Sequence, residues 1–179
     1  MPWRSCRGLP RWVVRMRDVL HFSFTVSDIE QSIDWYTKML GLELVARQRS
    51  DSDYIRTLVG VPDAVLEVAQ FKIPGVSPGI SSHMLELVEY VIPRSANSRI
   101  PITRVGAAHL AFIVLDIDSV YERLERHGVE FVNPPVRITQ GVNSGGAACY
   151  FLDPDGITLE LLSLPSSSLS KSEREREVA

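Results

Sequence analysis

His21-Phe22-Ser23-Phe24-Thr25-Val26-Ser27-Asp28-Ile29 and His109-Leu110-Ala111-Phe112-Ile113-Val114-Leu115-Asp116-Ile117 are two versions of one segment. The His, one Phe, the Val, the Asp and the final Ile coincide in both. Two further matches follow in the same order. Gly41-Leu42-Glu43-Leu44 overlies Gly128-Val129-Glu130-Phe131, and Met84-Leu85-Glu86-Leu87-Val88 overlies Thr158-Leu159-Glu160-Leu161-Leu162. A single match of this kind is within chance. Three in one order indicate an internal duplication, which sets the architecture before any element is assigned.

Each copy opens on a strand. Residues 19–26 and 107–114 are rich in the aromatic and β-branched side chains that pleated backbone favours. A helix follows. In the first copy Ser27 and Glu30 have the capping-box spacing, Ile29, Ile33, Tyr36 and Leu40 repeat at helical intervals, and Gly41 supplies a left-handed stop. In the second, Asp116 is the expected cap, Ile117, Val120, Tyr121 and Leu124 form the apolar face, and Gly128 ends it. Extended segments are expected over 42–48, 64–72 and 83–91, and again over 129–132, 146–152 and 157–163. Residues 51–60, with Tyr54 and Arg56, read as a short helical insertion, and Asp153-Pro154-Asp155-Gly156 as a turn. The fold expected is α+β: two βαβββ modules, 18–95 and 103–164, forming a curled sheet around a metal-binding cleft in one domain, 18–164.

Composition fits a globular unit. The chain has 179 residues, 45% hydrophobic and 23% charged, with a mean hydropathy of +0.03. That is enough to bury a core without staples. No apolar run approaches the roughly 18 residues of a membrane span. Nineteen basic against 22 acidic residues make no electrostatic case for a nucleic-acid partner. Cys6 and Cys149 do not make a disulfide scaffold and suit a reducing, cytoplasmic setting. Basic charge gathers at one end: Arg4, Arg7, Arg11, Arg15 and Arg17 occur with no acid among them. Residues 1–17 are expected to be a disordered basic leader. Residues 165–179, Ser-rich and then charged, are expected to be a disordered tail.

Strand alternation selects the chemistry-bearing residues. His21 shares a face with Ser23 and Thr25, opposite Phe22, Phe24 and Val26; His109 shares one with Ala111 and Ile113, opposite Leu110, Phe112 and Val114. Near the end of each module a Glu interrupts an apolar strand. Glu160 sits among Leu159, Leu161 and Leu162, where burial is costly unless the carboxylate is paired or coordinated. A lone His or Glu in a strand is ordinarily a structural or solvent-facing residue. Recurrence at equivalent positions in both copies argues against that reading for His21, Glu86, His109 and Glu160. Imidazole nitrogen and carboxylate oxygen together suit Ni, Zn, Fe, Co or Mn. His83 and Glu89 are rival donors; each lies three residues from Glu86, on the opposite strand face, and both are expected to be exposed. His127 falls in the last turn of the second helix, where the helix dipole favours a partial positive charge, and reads as structural.

On these residues the chain resembles the vicinal oxygen chelate superfamily: glyoxalase I, methylmalonyl-CoA epimerase, fosfomycin-resistance enzymes, extradiol dioxygenases and bleomycin-binding proteins. The resemblance is carried by His21 with Val26-Ser27-Asp28, Trp35-Tyr36 with Leu40-Gly41-Leu42, and Leu85-Glu86-Leu87. It continues through His109 with Phe112 and Asp116, and Phe151-Leu152-Asp153-Pro154-Asp155-Gly156 running into Leu159-Glu160-Leu161. It implies one divalent ion (Ni, Zn, Co, Mn or Fe) held by His21, Glu86, His109 and Glu160, a small-molecule substrate and a homodimer. The quartet is most similar to that of glyoxalase I; methylmalonyl-CoA epimerases usually carry Gln at the position of Glu86. The activity implied is that of a metal-dependent lyase or isomerase, moving a proton beside a carbonyl through a metal-stabilised enediolate. Glu160 would be the base and Glu86 its partner on the opposite side.

The glutathione anchors of glyoxalase I are not matched. Thr25 and Val105 stand where that family carries Arg, and Tyr90 where it carries Asn. Glutathione hemithioacetal is therefore not the expected substrate. Tyr54, Arg56 and the Gly-rich segment 141–146 are candidates for covering a substrate; ordinary surface loops are the competing reading. Two other functions share the motif: an iron-dependent ring-cleaving dioxygenase and a metal-free ligand-sequestering protein of the bleomycin-resistance kind. A filled fourth ligand position weighs against the first, and a complete quartet against the second.

Overall fold

A computed structural model of the chain describes residues 19–76, 85–95 and 99–165. The expected leader, the expected tail beyond Pro165, and His83 lie outside these residues. The first module runs β1 (Phe22–Val26), α1 (Ile29–Leu40), β2 (Glu43–Ser50), α2 (Asp53–Val59), β3 (Val65–Lys72) and β4 (Leu85–Ile92). The second runs β5 (Leu110–Ile113), α3 (Ile117–Arg126), β6 (Val136–Arg137), β7 (Ala147–Leu152) and β8 (Thr158–Ser163). Their sheets have the same permutation, β1-β4-β3-β2 and β5-β8-β7-β6, so the duplication in sequence is a duplication in topology. In each, the first strand runs parallel to the last, and the other pairs are antiparallel. A parallel pair cannot be closed by a hairpin, and α1 and α3 begin the required crossovers.

Two local expectations are corrected. The cap of α1 is Asp28, whose Oδ1 accepts from Gln31 N at 3.0 Å, and not Ser27. Ser27 instead faces the other module: its amide and hydroxyl donate to the Asp155 carboxylate at 2.8 and 2.5 Å. Glu30, the expected reciprocal partner, is ion-paired to Arg47. Both residues have short oxygen-bearing side chains, and the pull of Asp155 decides between them. In the second module, residues 129–132 are not a strand. The segment meets β7 through one isolated bridge, Phe131 opposite Phe151, with Val132 N bonded to Tyr150 O and Leu152 N to Glu130 O, and β6 begins after Pro134 and Pro135, which have no N–H to offer a ladder. The other helix signals are observed as expected: Asp116 accepts from Ser119 N at 3.0 Å, and Gly41 closes α1 at φ +67°.

Helix α1 belongs to both modules. Tyr36 is fully buried, its ring 6.2 Å from that of Phe71 in β3; Trp35 stacks on Phe151 of β7 at 6.4 Å. Phe24, Leu85 and Leu87 of the first sheet and Phe151, Leu159 and Leu161 of the second join a single core, to which α3 adds Ile117 and Leu124. Each large apolar side chain buried there contributes about 1.5–3 kcal/mol.

One polar contact is set into this core. The Tyr36 hydroxyl donates to Asp153 Oδ2 at 3.0 Å, and the other oxygen of Asp153 accepts from the amides of Asp155 (2.9 Å) and Ile157 (2.8 Å). Asp153 is 5% exposed, and burial pushes its carboxyl up to about 6 despite those hydrogen bonds. Burial first, and then Asp153, hold the Tyr36 phenol well above its ordinary value, so it remains a neutral donor.

Two outcomes follow. Tyr36→Phe removes a donor from a buried carboxylate and should cost about 1–3 kcal/mol in urea denaturation. Because the folded carboxyl of Asp153 titrates above its unfolded value, its stabilising contribution is complete below about pH 4 and is lost as pH rises through about 6. Compared with Asp153→Asn, the native chain should therefore lose on the order of 2–3 kcal/mol between pH 4 and pH 7. A pH-independent difference between the two would contradict this assignment.

Candidate active site

The residue just before each edge strand is a histidine, and the parallel neighbour of each edge strand carries a glutamate. Ser23 is the Cα partner of Glu86, and Ala111 that of Glu160. Residues two apart share a face, so His21 comes to lie beside Glu86 and His109 beside Glu160. The His21 Nε2 to Glu86 Oε1 distance is 3.5 Å, and His109 Nε2 to Glu160 Oε2 is 3.2 Å. Two donors bound to one divalent ion at about 2.1 Å lie about 3.0–3.4 Å apart. Each pair therefore has the donor chemistry and the bite of half a metal site. The four side chains are 30%, 17%, 40% and 16% exposed, in chain order, so both pairs are open enough to accept a ligand.

The two halves do not meet within one chain. Leu85 and Leu87, flanking Glu86, and Leu159 and Leu161, flanking Glu160, all belong to the shared core. Alternation then turns both His–Glu pairs away from that core. Among the described residues no three His, Cys, Asp or Glu side chains come together as a metal site. The four residues expected as one ligand set stand in this chain as two separate His–Glu pairs. The cause is α1, which packs the apolar faces of both sheets against itself and leaves the ligand faces outside.

Two cavities open near the sheets, and of the four His and Glu residues Glu160 alone is among the residues lining them. A cavity of about 410 Å³ opens beside β1, lined by Ser23, Thr25, Ser27, Tyr90, Arg94 and Thr158 among others. A second, of about 330 Å³, is lined by Glu160, Tyr150, Cys149, Ala148 and Asn133 among others. The edge of the Tyr150 ring meets His109 at 5.3 Å between centroids. Burial, then Glu160 and Asp118, push the Cys149 thiol up to about 11, which keeps it protonated and removes it as a nucleophile. On the same face as Glu160, Ile113 is 62% and Val136 57% exposed, an apolar surface with nothing over it.

Glu89 is not exposed. It is 7% accessible, its Oε2 accepts from Ile29 N at 2.9 Å at the first turn of α1, and its Oε1 lies 3.3 Å from Arg94. The parity was read correctly, but the face opposite Glu86 is the core face covered by α1, not solvent. Helix α2 lies on the Glu86 face, where Ile55 and Val59 pack on Leu66, Val68, Val88 and Tyr90. Tyr54 on that helix is 72% exposed, and Arg56 is bonded within the helix to Asp53 at 3.1 Å. Segment 141–146 is a tight closure between β6 and β7, with Gly145 N bonded to Ile138 O and Gly146 so close to Ser163 O that a Cβ would sit 2.2 Å from it. His127 caps the end of α3, with Nδ1 2.7 Å from Arg123 O.

Sequence reasoning missed Gln70. It is the cross-strand partner of Glu86, and its Nε2 donates to Glu86 Oε2 at 2.9 Å. Nothing local marks a Gln in an apolar strand; only the register between β3 and β4 brings it there.

Comparison with known proteins agrees with this fold. Residues 18–161 match the family model described as Glyoxalase/Bleomycin resistance protein/Dioxygenase superfamily. A 2-epi-5-epi-valiolone epimerase from Actinomyces is 31% identical over 90% of this chain and 85% of its own length. A lactoylglutathione lyase from Pseudomonas aeruginosa is 29% identical over 79% and 80%. A crystal structure of a glyoxalase family protein from Bacillus cereus superposes with a TM-score of 0.70 at 22% identity, over 86% of this chain and 97% of that one. Among the described residues no helix is long and apolar enough to cross a membrane.

The two acids of β4 should separate cleanly by substitution. Glu89→Leu leaves the Ile29 amide without its buried acceptor and should cost about 1–3 kcal/mol in chemical denaturation. Glu86→Leu, on the partly buried outer face where Gln70 is its hydrogen-bond partner, should cost clearly less. Equal losses in both would overturn the assignment of the two faces.

Proposed function

Because the chain belongs to the Glyoxalase/Bleomycin resistance protein/Dioxygenase superfamily, we propose that it is a divalent-metal-dependent enzyme of the epimerase type. It moves a proton on the carbon beside the carbonyl of a hydroxylated ketone, in a site shared by two copies of the chain. The observation that carries this reading is the pair of His–Glu half-sites, with distances of 3.5 and 3.2 Å at equivalent places in two duplicated sheets. His21 and Glu86 of one chain, with His109 and Glu160 of a second copy, would hold the ion. The exposed Ile113 and Val136 on the Glu160 face support contact with another copy. A divalent ion, when bound, supplies Lewis-acid polarisation of a substrate oxygen.

The chain's own residues do the rest. Glu160 removes the proton from carbon, because a carboxylate set beside an imidazole in this module is a group of the kind that accepts one. Return of a proton from solvent on the opposite face inverts the carbon, while Glu86, across the site, would stay with the ion and hold the substrate's place beside it.

The lining of the larger cavity supports the substrate class. Ser23, Thr25, Ser27, Tyr90 and Thr158 present hydroxyls, and the cation there, Arg94, is already ion-paired to Glu89. This suits a neutral, polyhydroxylated molecule better than a glutathione adduct, whose carboxylates call for uncommitted cations. The relative named as an epimerase of 2-epi-5-epi-valiolone supports the same choice. The relative named as a lactoylglutathione lyase supports the proton transfer but not that substrate, since Thr25 and Tyr90 replace the expected anchors.

Solvent deuterium exchange beside the carbonyl, screened across cyclic and open-chain hydroxy-ketones with the metal-loaded protein, tests the reaction. Exchange should be catalysed, and Glu160→Gln should lower it by about 10²–10⁴ while the fold and part of the metal binding persist. Full-rate exchange in that variant would move the base to another residue. Efficient turnover of glutathione hemithioacetal would overturn the substrate class.

A further inference from the structure

We infer that Gln70 is a positioning residue that makes Glu86 a one-oxygen ligand. The inference rests on the metal reading above and deepens it. Gln70 Nε2 donates to Glu86 Oε2 at 2.9 Å, while Glu86 Oε1 is the oxygen that lies 3.5 Å from His21 Nε2. One carboxylate oxygen is thus occupied by an amide donor and the other is presented to the imidazole. An amide can only place its N–H₂ against a carboxylate, since its carbonyl oxygen would face another acceptor, so the orientation of Gln70 is dictated by its partner.

The contact is built into the sheet. Gln70 and Glu86 are Cα partners in the antiparallel β3–β4 ladder and share a partly buried face, which fixes their separation without help from a mobile loop. The corresponding place in the other module is held differently. The cross-strand partner of Glu160 is Tyr150, whose ring is set against His109, and among the described residues no side-chain amide donates to Glu160. The duplicated sites therefore differ in one respect. The carboxylate of the first is clamped, whereas that of the second, assigned as the base, keeps both oxygens free of a side-chain amide.

A hydrogen bond from outside the ligand set fixes ligand rotamers, and its loss typically weakens metal binding by about 10–100-fold. Cobalt(II) titration of the full chain, followed by visible absorption, provides the test. Gln70→Met keeps the volume and removes the N–H. It should weaken cobalt binding by about 10–100-fold and alter the d–d spectrum, because the freed Glu86 Oε2 then reaches the ion as well. Gln48→Met, on the same sheet face beside Val68, should change neither quantity. If Gln70→Met does not fold, Gln70→Leu serves the same comparison. Native affinity and spectrum in the Gln70 variant, with cobalt binding lost in His21→Ala, would overturn the positioning role and leave the metal reading standing. Equal cobalt binding by the native chain and His21→Ala would overturn the metal reading and this inference with it.

Discussion

Helix α1 serves two sheets at once, and the rest of the architecture depends on that. Its Tyr36 ring packs on Phe71 of the first sheet while its hydroxyl meets Asp153 of the second, and Trp35 beside it stacks on Phe151. The apolar faces of both sheets are drawn to one helix and form one core. Everything on the opposite faces is turned outward as a consequence. Strand alternation allows no compromise here: with Leu85 and Leu87 inside, Glu86 must be outside, and the same holds for Glu160 between Leu159 and Leu161. A chain that buries itself this way presents two half-sites on two surfaces.

Polar groups tie the arrangement together at places where the core leaves backbone or carboxylate unsatisfied. Glu89 accepts the first amide of α1, and Asp155 receives both donors of Ser27 from across the module boundary. Asp153 collects Tyr36 and two amides. Each is an acid that would be costly to bury alone, and each is met by donors from a different element. These acids orient the scaffold. The acids that face outward, Glu86 and Glu160, are met by histidines. The division between carboxylates that bind scaffold amides and hydroxyls and those set against histidines thus follows the division between the two faces of each sheet.

Much of this was legible in the sequence. The duplication, the two sheets, α1 with its stop at Gly41, and the pairing of His21 with Glu86 and His109 with Glu160 all follow from spacing and alternation. What was not legible shares one cause. Periodicity reports which residues lie on the same face, but not what covers that face. Glu89 was placed on the correct side of β4 and misjudged because α1 covers that side. Ser27 and Asp28 are equivalent as caps until Asp155 approaches from the other module. Gln70 acquires meaning only from the register that sets it against Glu86. That His21 with Glu86 and His109 with Glu160 stand as two separate pairs depends on how the modules pack, which neither copy contains by itself.

Mixing two single-site variants tests the outward-facing half-sites most directly. His21→Ala destroys one half-site and His109→Ala the other, and each variant alone should lose metal binding. If a site is completed between two copies, a mixed dimer joins the intact first module of one chain to the intact second module of the other. Equal mixing and reassociation should then restore about a quarter of the native metal content, because half of the dimers are mixed and each regains one of its two sites. Metal content that stays at the level of the separate variants after proven subunit exchange would contradict a shared site and return the quartet to a single chain.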